Sequence, residues 1–86
     1  MTTILDQILE QYPQEEFLKA DGFDAAVIGL EQNTMRLIYS NTKCIEILCA
    51  DMSEEEAIEH FEFNVSGSYV GEKTPIWCDD YFNTNL

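Results

Sequence analysis

The sequence predicts an α+β fold, a small antiparallel sheet (a β-hairpin plus a C-terminal strand) packed with three helices. Three observations point there. Apolar residues recur at helical spacing near the start, at Ile4, Leu5, Ile8, Leu9 and Tyr12. Two β-rich runs, 25–30 and 35–40, flank the polar segment Glu31-Gln32-Asn33-Thr34, which is the pattern of a β-hairpin. The tetrapeptide Ser53-Glu54-Glu55-Glu56 is a capping box ahead of a second helical stripe. Strands and helices this short close best with the helices on one face of an antiparallel sheet.

In chain order, Thr2 or Thr3 is available to cap the first helix. Pro13 stops it, having no N–H to donate and disfavouring the helical region at Tyr12. A further helical turn is expected over 15–19, with Phe17 and Leu18 inward, and Asp21-Gly22 marks a turn. Alternation in the second strand puts Met35, Leu37 and Tyr39 on one face, with Arg36 and Ile38 on the other. Gly29 marks a bulge or a close backbone approach. Asn41 or Thr42 can cap a helix through Cys44, Ile45, Leu48 and Cys49.

The helix after Ser53 carries three carboxylates in its first turn, at the positive end of its dipole. Its apolar stripe is Ala57/Ile58, Phe61 and Val65. Gly67 weakens the pattern, and the helix is expected to end by Val70 with Gly71 as C-terminal cap. Residues 74–78 read as a short strand, which Pro75 confines to a start or an edge. Paired with one hairpin strand it gives three strands, enough for independent stability. Residues 79–86 read as a tail, with Tyr81 and Phe82 able to dock back. The whole of 1–86 is expected to be a single small acidic domain.

Charge bounds the function. Seventeen Asp and Glu stand against four Lys and Arg, a formal net charge of −13. Solubility asks a small domain for only about 2–8 in magnitude, and the excess costs stability through self-repulsion. It disfavours direct binding to nucleic acid or anionic lipid and favours a basic partner. An apolar fraction of 45% with ten aromatic residues is ample for a core, so the chain is expected to fold. No apolar run approaches the ~20 residues of a membrane span. The start of the chain lacks the basic n-region of a signal peptide, so a cytoplasmic protein is expected.

Catalytic and metal signals are weak. Cys44, Cys49 and Cys78 are an odd number for a disulfide framework, and the Cys44–Cys49 interval is too open for a zinc knuckle. They read as small structural side chains. Asp79-Asp80 beside Cys78 would disfavour a reactive thiolate there. His60, the sole histidine, follows Glu56 by four residues, and these two ligands alone make a poor metal site. There is no G-x-G-x-x-G, P-loop or C-x-x-C. No enzyme, cofactor or metal is expected.

The acidic residues do have a pattern. Glu55, Glu59 and Glu62 fall at i, i+4 and i+7, a stripe roughly opposite Ile58, Phe61 and Val65. Glu10, Glu15, Glu16 and Asp21 form a second candidate cluster. A solubility face normally interleaves both signs; the helical stripe does not. Neighbours on it stand about 5–6 Å apart, close to the spacing of successive phosphates on a nucleic-acid strand.

Several segments are also familiar as a set: residues 20–29 (ADGFDAAVIG), 37–40 (LIYS), 43–48 (KCIEIL), 57–65 (AIEHFEFNV) and 69–76 (YVGEKTPI). Through these the chain resembles a family of small uncharacterised proteins from tailed bacteriophages and prophages. The resemblance imports no catalytic residue. Read physically, Phe61, Phe63 and Val65 fill a core, Gly71 stops a helix and Thr74-Pro75 leads into a strand. Asn64, Glu72 and Lys73 are the polar candidates for contacts, Asn64 having the alternative of bonding nearby backbone.

The expectation from charge and resemblance together is a non-enzymatic phage protein in the cytoplasm of an infected bacterium. Its acidic face, with Glu55, Glu59 and Glu62 first, would occupy a basic, nucleic-acid-binding host protein by nucleic-acid mimicry or anti-defence action. The alternative is a phage structural or assembly protein that self-associates as a homo-oligomer through an apolar edge.

Overall fold

A computed structural model describes residues 3–66 and 71–82. The chain forms α1 (Ile4–Gln11), a 3₁₀ turn (Asp24–Ala26), β1 (Val27–Glu31), β2 (Arg36–Ser40), α2 (Asn41–Leu48), α3 (Glu54–His60) continued by a π-helical turn (Phe61–Val65), and β3 (Ile76–Cys78). The class is α+β, with three helices and one three-stranded sheet in the order β1-β2-β3. The helix end expected by Val70, the weak point at Gly67 and the last four residues of the tail lie outside the described residues.

Thr3 caps α1 reciprocally: its hydroxyl accepts from the Asp6 N–H at 3.0 Å and its own N–H donates to the Asp6 carboxylate at 3.3 Å. Leu5 is buried, with Ile8 and Leu9 packed beside it. The helix ends at Tyr12, as Pro13 requires. The helical turn expected over 15–19 does not form. It would bond the Ala20 N–H to the Glu16 carbonyl, and both groups are taken elsewhere. Ala20 N–H donates to the Tyr39 hydroxyl at 2.8 Å, and the Glu16 carbonyl accepts from Lys73 at 2.8 Å. Phe17 packs inward, but Leu18 is exposed.

The hairpin is antiparallel, Glu31 opposite Arg36 and Leu30 opposite Leu37, with a bulge between Val27 and Gly29. The Glu31 carboxylate organises its turn, accepting from the Asn33 and Thr34 N–H groups at 2.9 and 2.8 Å and from the Thr34 hydroxyl at 2.7 Å. Leu37 and Tyr39 are buried as the alternation predicts. Met35 is only half-buried, because it sits in the turn with a positive φ of 55°.

Ser40, rather than Asn41 or Thr42, caps α2, its hydroxyl accepting from the Lys43 N–H at 3.1 Å. The strand residue is still extended there, so α2 follows β2 with no linker. At α3 the predicted capping box is present, Ser53 and Glu56 exchanging bonds of 3.1 and 3.2 Å. Ala57 and Phe61 are buried and Val65 packs against the core. Phe63 does not fill the core but is 77% exposed. Two residues along a helix is about 200° around its axis, so Phe61 and Phe63 cannot share a face.

The C-terminal strand is the main topological correction. β3 pairs with β2 in parallel, Ile38 opposite Ile76 and Tyr39 opposite Trp77, so the sheet is mixed rather than antiparallel. A hairpin reverses direction, but α2 and α3 intervene here and carry the chain back to run the same way, as parallel pairing requires. Pro75 lies just before the strand, and Gly71, at φ 125°, turns the chain so that its carbonyl accepts from the Thr74 N–H and hydroxyl. Arg36 Nε donates to the Thr74 carbonyl at 2.6 Å, tying β3's approach to the hairpin.

Tyr39 sits at the centre of the core, its ring 5.0 Å from that of Trp77, which in turn meets Phe61 edge-on at 5.6 Å. The start of the expected tail is tied down. Asp79 accepts from the Asn41 amide at 2.6 Å. Hydrogen bonds from the Ser40 hydroxyl, foremost, and from Thr42 hold the Asp80 carboxyl below its ordinary pKa at the positive end of α2. Beyond them Tyr81 and Phe82 stack on each other at 4.3 Å and stay exposed.

Candidate acidic interface

The Ser53 cap fixes where α3 begins, and the burial of Ala57 and Phe61 fixes its rotation. Together they turn Glu55 and Glu59 outward on α3, and Glu62 follows in the π-helical turn. All three are exposed, and none forms an ion pair or hydrogen bond with a described residue. Over 54–62 five carboxylates occur with no Lys or Arg.

The basic residues are engaged or placed elsewhere. Lys73 pairs with Glu15 at 3.0 Å, the single ion pair among the described residues, and lies 5.8 Å from the centre of the Phe17 ring. The second predicted cluster, Glu10, Glu15, Glu16 and Asp21, is therefore partly neutralised. Arg36 serves the Thr74 carbonyl, while Lys19 and Lys43 are exposed on other segments. The two clusters look alike in sequence, yet only the α3 face is bare. Of the polar candidates near the C-terminus, Lys73 is thus structural and Glu72 is exposed.

His60 is exposed, its Nδ1 3.4 Å from the Asn64 amide. Both line an open depression of about 470 Å³ together with Met52, Glu56, Glu59 and Phe63. Among the described residues no three His, Cys, Asp or Glu side chains are grouped to hold a metal ion. Glu56 is held below the usual carboxylate range by the backbone N–H of Ser53, foremost, and by its hydroxyl. Phe63 and Met52 are the members that sequence reasoning missed. The signal was available, since Phe63 stands four residues after Glu59, on the same helical face.

The cysteines differ sharply. Cys44 is fully buried, and burial, with a smaller push from the Asp80 charge, raises its thiol to about 12. Cys49 is exposed and Cys78 half-buried. Iodoacetamide at pH 8 is expected to modify Cys49 in the folded protein and to leave Cys44 untouched until denaturant is added. Peptide mass spectrometry reads this directly, and native labelling of Cys44 would contradict its placement in the core.

No helix among the described residues is long and apolar enough to cross a membrane. No family model, curated protein or solved structure matches the chain.

Proposed function

We propose that this is a non-enzymatic, phage-encoded protein that binds a basic, nucleic-acid-binding host protein through the α3 face and blocks it. The observation that carries the reading is the run of exposed carboxylates Glu55, Glu59 and Glu62, none of which is ion-paired to a described residue. Glu54, Glu55 and Glu56 all suit the positive end of the helix dipole; Glu59 and Glu62 lie beyond the first turn and have no such local role. A row of negative charges about 5–6 Å apart on one rigid face imitates a phosphate backbone and competes for the groove that binds it. Long-range attraction between such surfaces gives fast, salt-sensitive association. The phage origin rests on the sequence resemblance, and with it the cytoplasm of an infected bacterium as the place of action.

The test is affinity capture from bacterial lysate at low and high salt, with the wild type and a variant carrying Glu55→Gln, Glu59→Gln and Glu62→Gln. The wild type is expected to retain DNA- or RNA-binding proteins and release them as salt rises, and the variant to lose at least tenfold of that capture. Capture indifferent to both salt and the substitutions would overturn the reading. A stable homo-oligomer that captures nothing would favour the self-assembling alternative, for which the exposed Tyr81–Phe82 stack is the natural contact.

A further inference from the structure

The acidic face is not purely acidic. Phe63 is the most exposed large hydrophobic residue among the described residues, at 77%, and it lines the depression with Met52, Glu56 and Glu59. Building on the reading above, we propose that this depression seats one arginine side chain of the basic partner, stacked on Phe63 and paired with Glu59.

Each wall has a part that suits a guanidinium. Phe63 offers an open ring face, and a cation over such a face is attracted by the ring quadrupole. Glu59, one helical turn earlier, has no partner among the described residues and offers two acceptor oxygens. Glu56 also lines the depression, and its bond from the Ser53 N–H at 3.1 Å orients the carboxylate and adds negative charge beside the seat. Met52, also lining the depression, offers apolar contact for the arginine stem. A planar guanidinium can stack and donate a forked pair of hydrogen bonds to a carboxylate at once. A lysine ammonium offers only a point charge.

Charge decides the class of occupant. Nucleic acid and anionic lipid are repelled by five carboxylates over 54–62. A second copy of this chain is a poor source, because it brings a net charge of −13 and a single arginine. That arginine, Arg36, already donates its Nε to the Thr74 carbonyl within its own fold. The arginine must come from a different, basic protein.

The experiment is a heteronuclear NMR titration at physiological salt with two peptides of equal charge, nona-arginine and nona-lysine. The wild type is expected to bind nona-arginine more tightly, with the largest shifts at Glu59, His60 and Phe63. Phe63→Leu keeps an exposed apolar side chain but removes the ring, so folding is spared. It is expected to weaken nona-arginine about 2–5-fold and to abolish the preference over nona-lysine. An unchanged preference in Phe63→Leu would overturn the inference. If Glu59→Gln with Glu62→Gln still weakens both peptides in that case, the acidic face stands and only the arginine seat is lost. If those substitutions are also without effect, the parent reading falls too.

Discussion

Tyr39→Ala is expected to lower the free energy of unfolding by about 3–5 kcal/mol, a large share of the roughly 5–15 kcal/mol that small domains possess. The reasons lie in what the side chain joins. Its ring is fully buried on β2 and packs 5.0 Å from Trp77, so it binds the hairpin to the parallel strand β3. Its hydroxyl accepts the Ala20 N–H at 2.8 Å, and thereby holds the irregular segment after Pro13 against the sheet. Tyr39→Phe separates the two contributions. It keeps the ring and leaves the Ala20 N–H unpaired, which costs about 1–3 kcal/mol. Urea unfolding followed by the fluorescence of Trp77, the single tryptophan, measures both. A Tyr39→Phe protein as stable as the wild type would mean that the tether does not hold the segment. A loss under about 1 kcal/mol in Tyr39→Ala would place the core elsewhere, since truncating a buried aromatic side chain costs several times that.

The same residue shows which parts of the fold could be read from sequence. The cap at Thr3 and the capping box at Ser53 are local: the residues that make each lie three positions apart. So is the alternation that buries Leu37 and Tyr39. The largest failures are non-local. The helical turn over 15–19 lost its backbone groups to Tyr39 and Lys73, more than 15 residues away. The direction of β3 is set by a crossover through two helices, and no feature of residues 74–78 encodes it. For the acidic face, the period gave Glu55, Glu59 and Glu62. Sequence could not reveal that Lys73 would neutralise Glu15 and leave the α3 stripe as the bare cluster. Phe63 was misassigned for another reason: its apolar character outweighed its angular position.

Thermal stability is expected to rise by about 10 °C or more between 10 and 150 mM NaCl, an unusually strong response for a small domain. A net charge of −13 on a chain with a radius of gyration of 13.5 Å repels itself more than on an unfolded chain of ~29 Å. Shortening the Debye length from ~30 to ~8 Å relieves that difference by a few kcal/mol. Each kcal/mol moves the midpoint of a domain this size by about 4–8 °C. Lowering the pH toward the carboxylate range acts in the same direction at low salt, because the net charge shrinks. Three carboxylates oppose this at the acid end. Glu31, held down chiefly by the Thr34 hydroxyl, Glu56, by Ser53, and Asp80, by Ser40, have folded pKa values below their ordinary ones. Their contribution is full above the unfolded values near 4 and is lost as the pH falls through the lowered ones. The optimum therefore lies on the mildly acid side of neutrality, between relief of repulsion and loss of these caps. Scanning calorimetry across salt and pH checks both limbs, and a midpoint that is flat or falls with salt would remove charge strain from the folded state. By the same reasoning, replacing Glu55, Glu59 and Glu62 with glutamine should raise the low-salt midpoint while abolishing partner capture. A binding loss accompanied by a gain in stability cannot be blamed on unfolding, and it would assign the cost of the charge to the face that uses it.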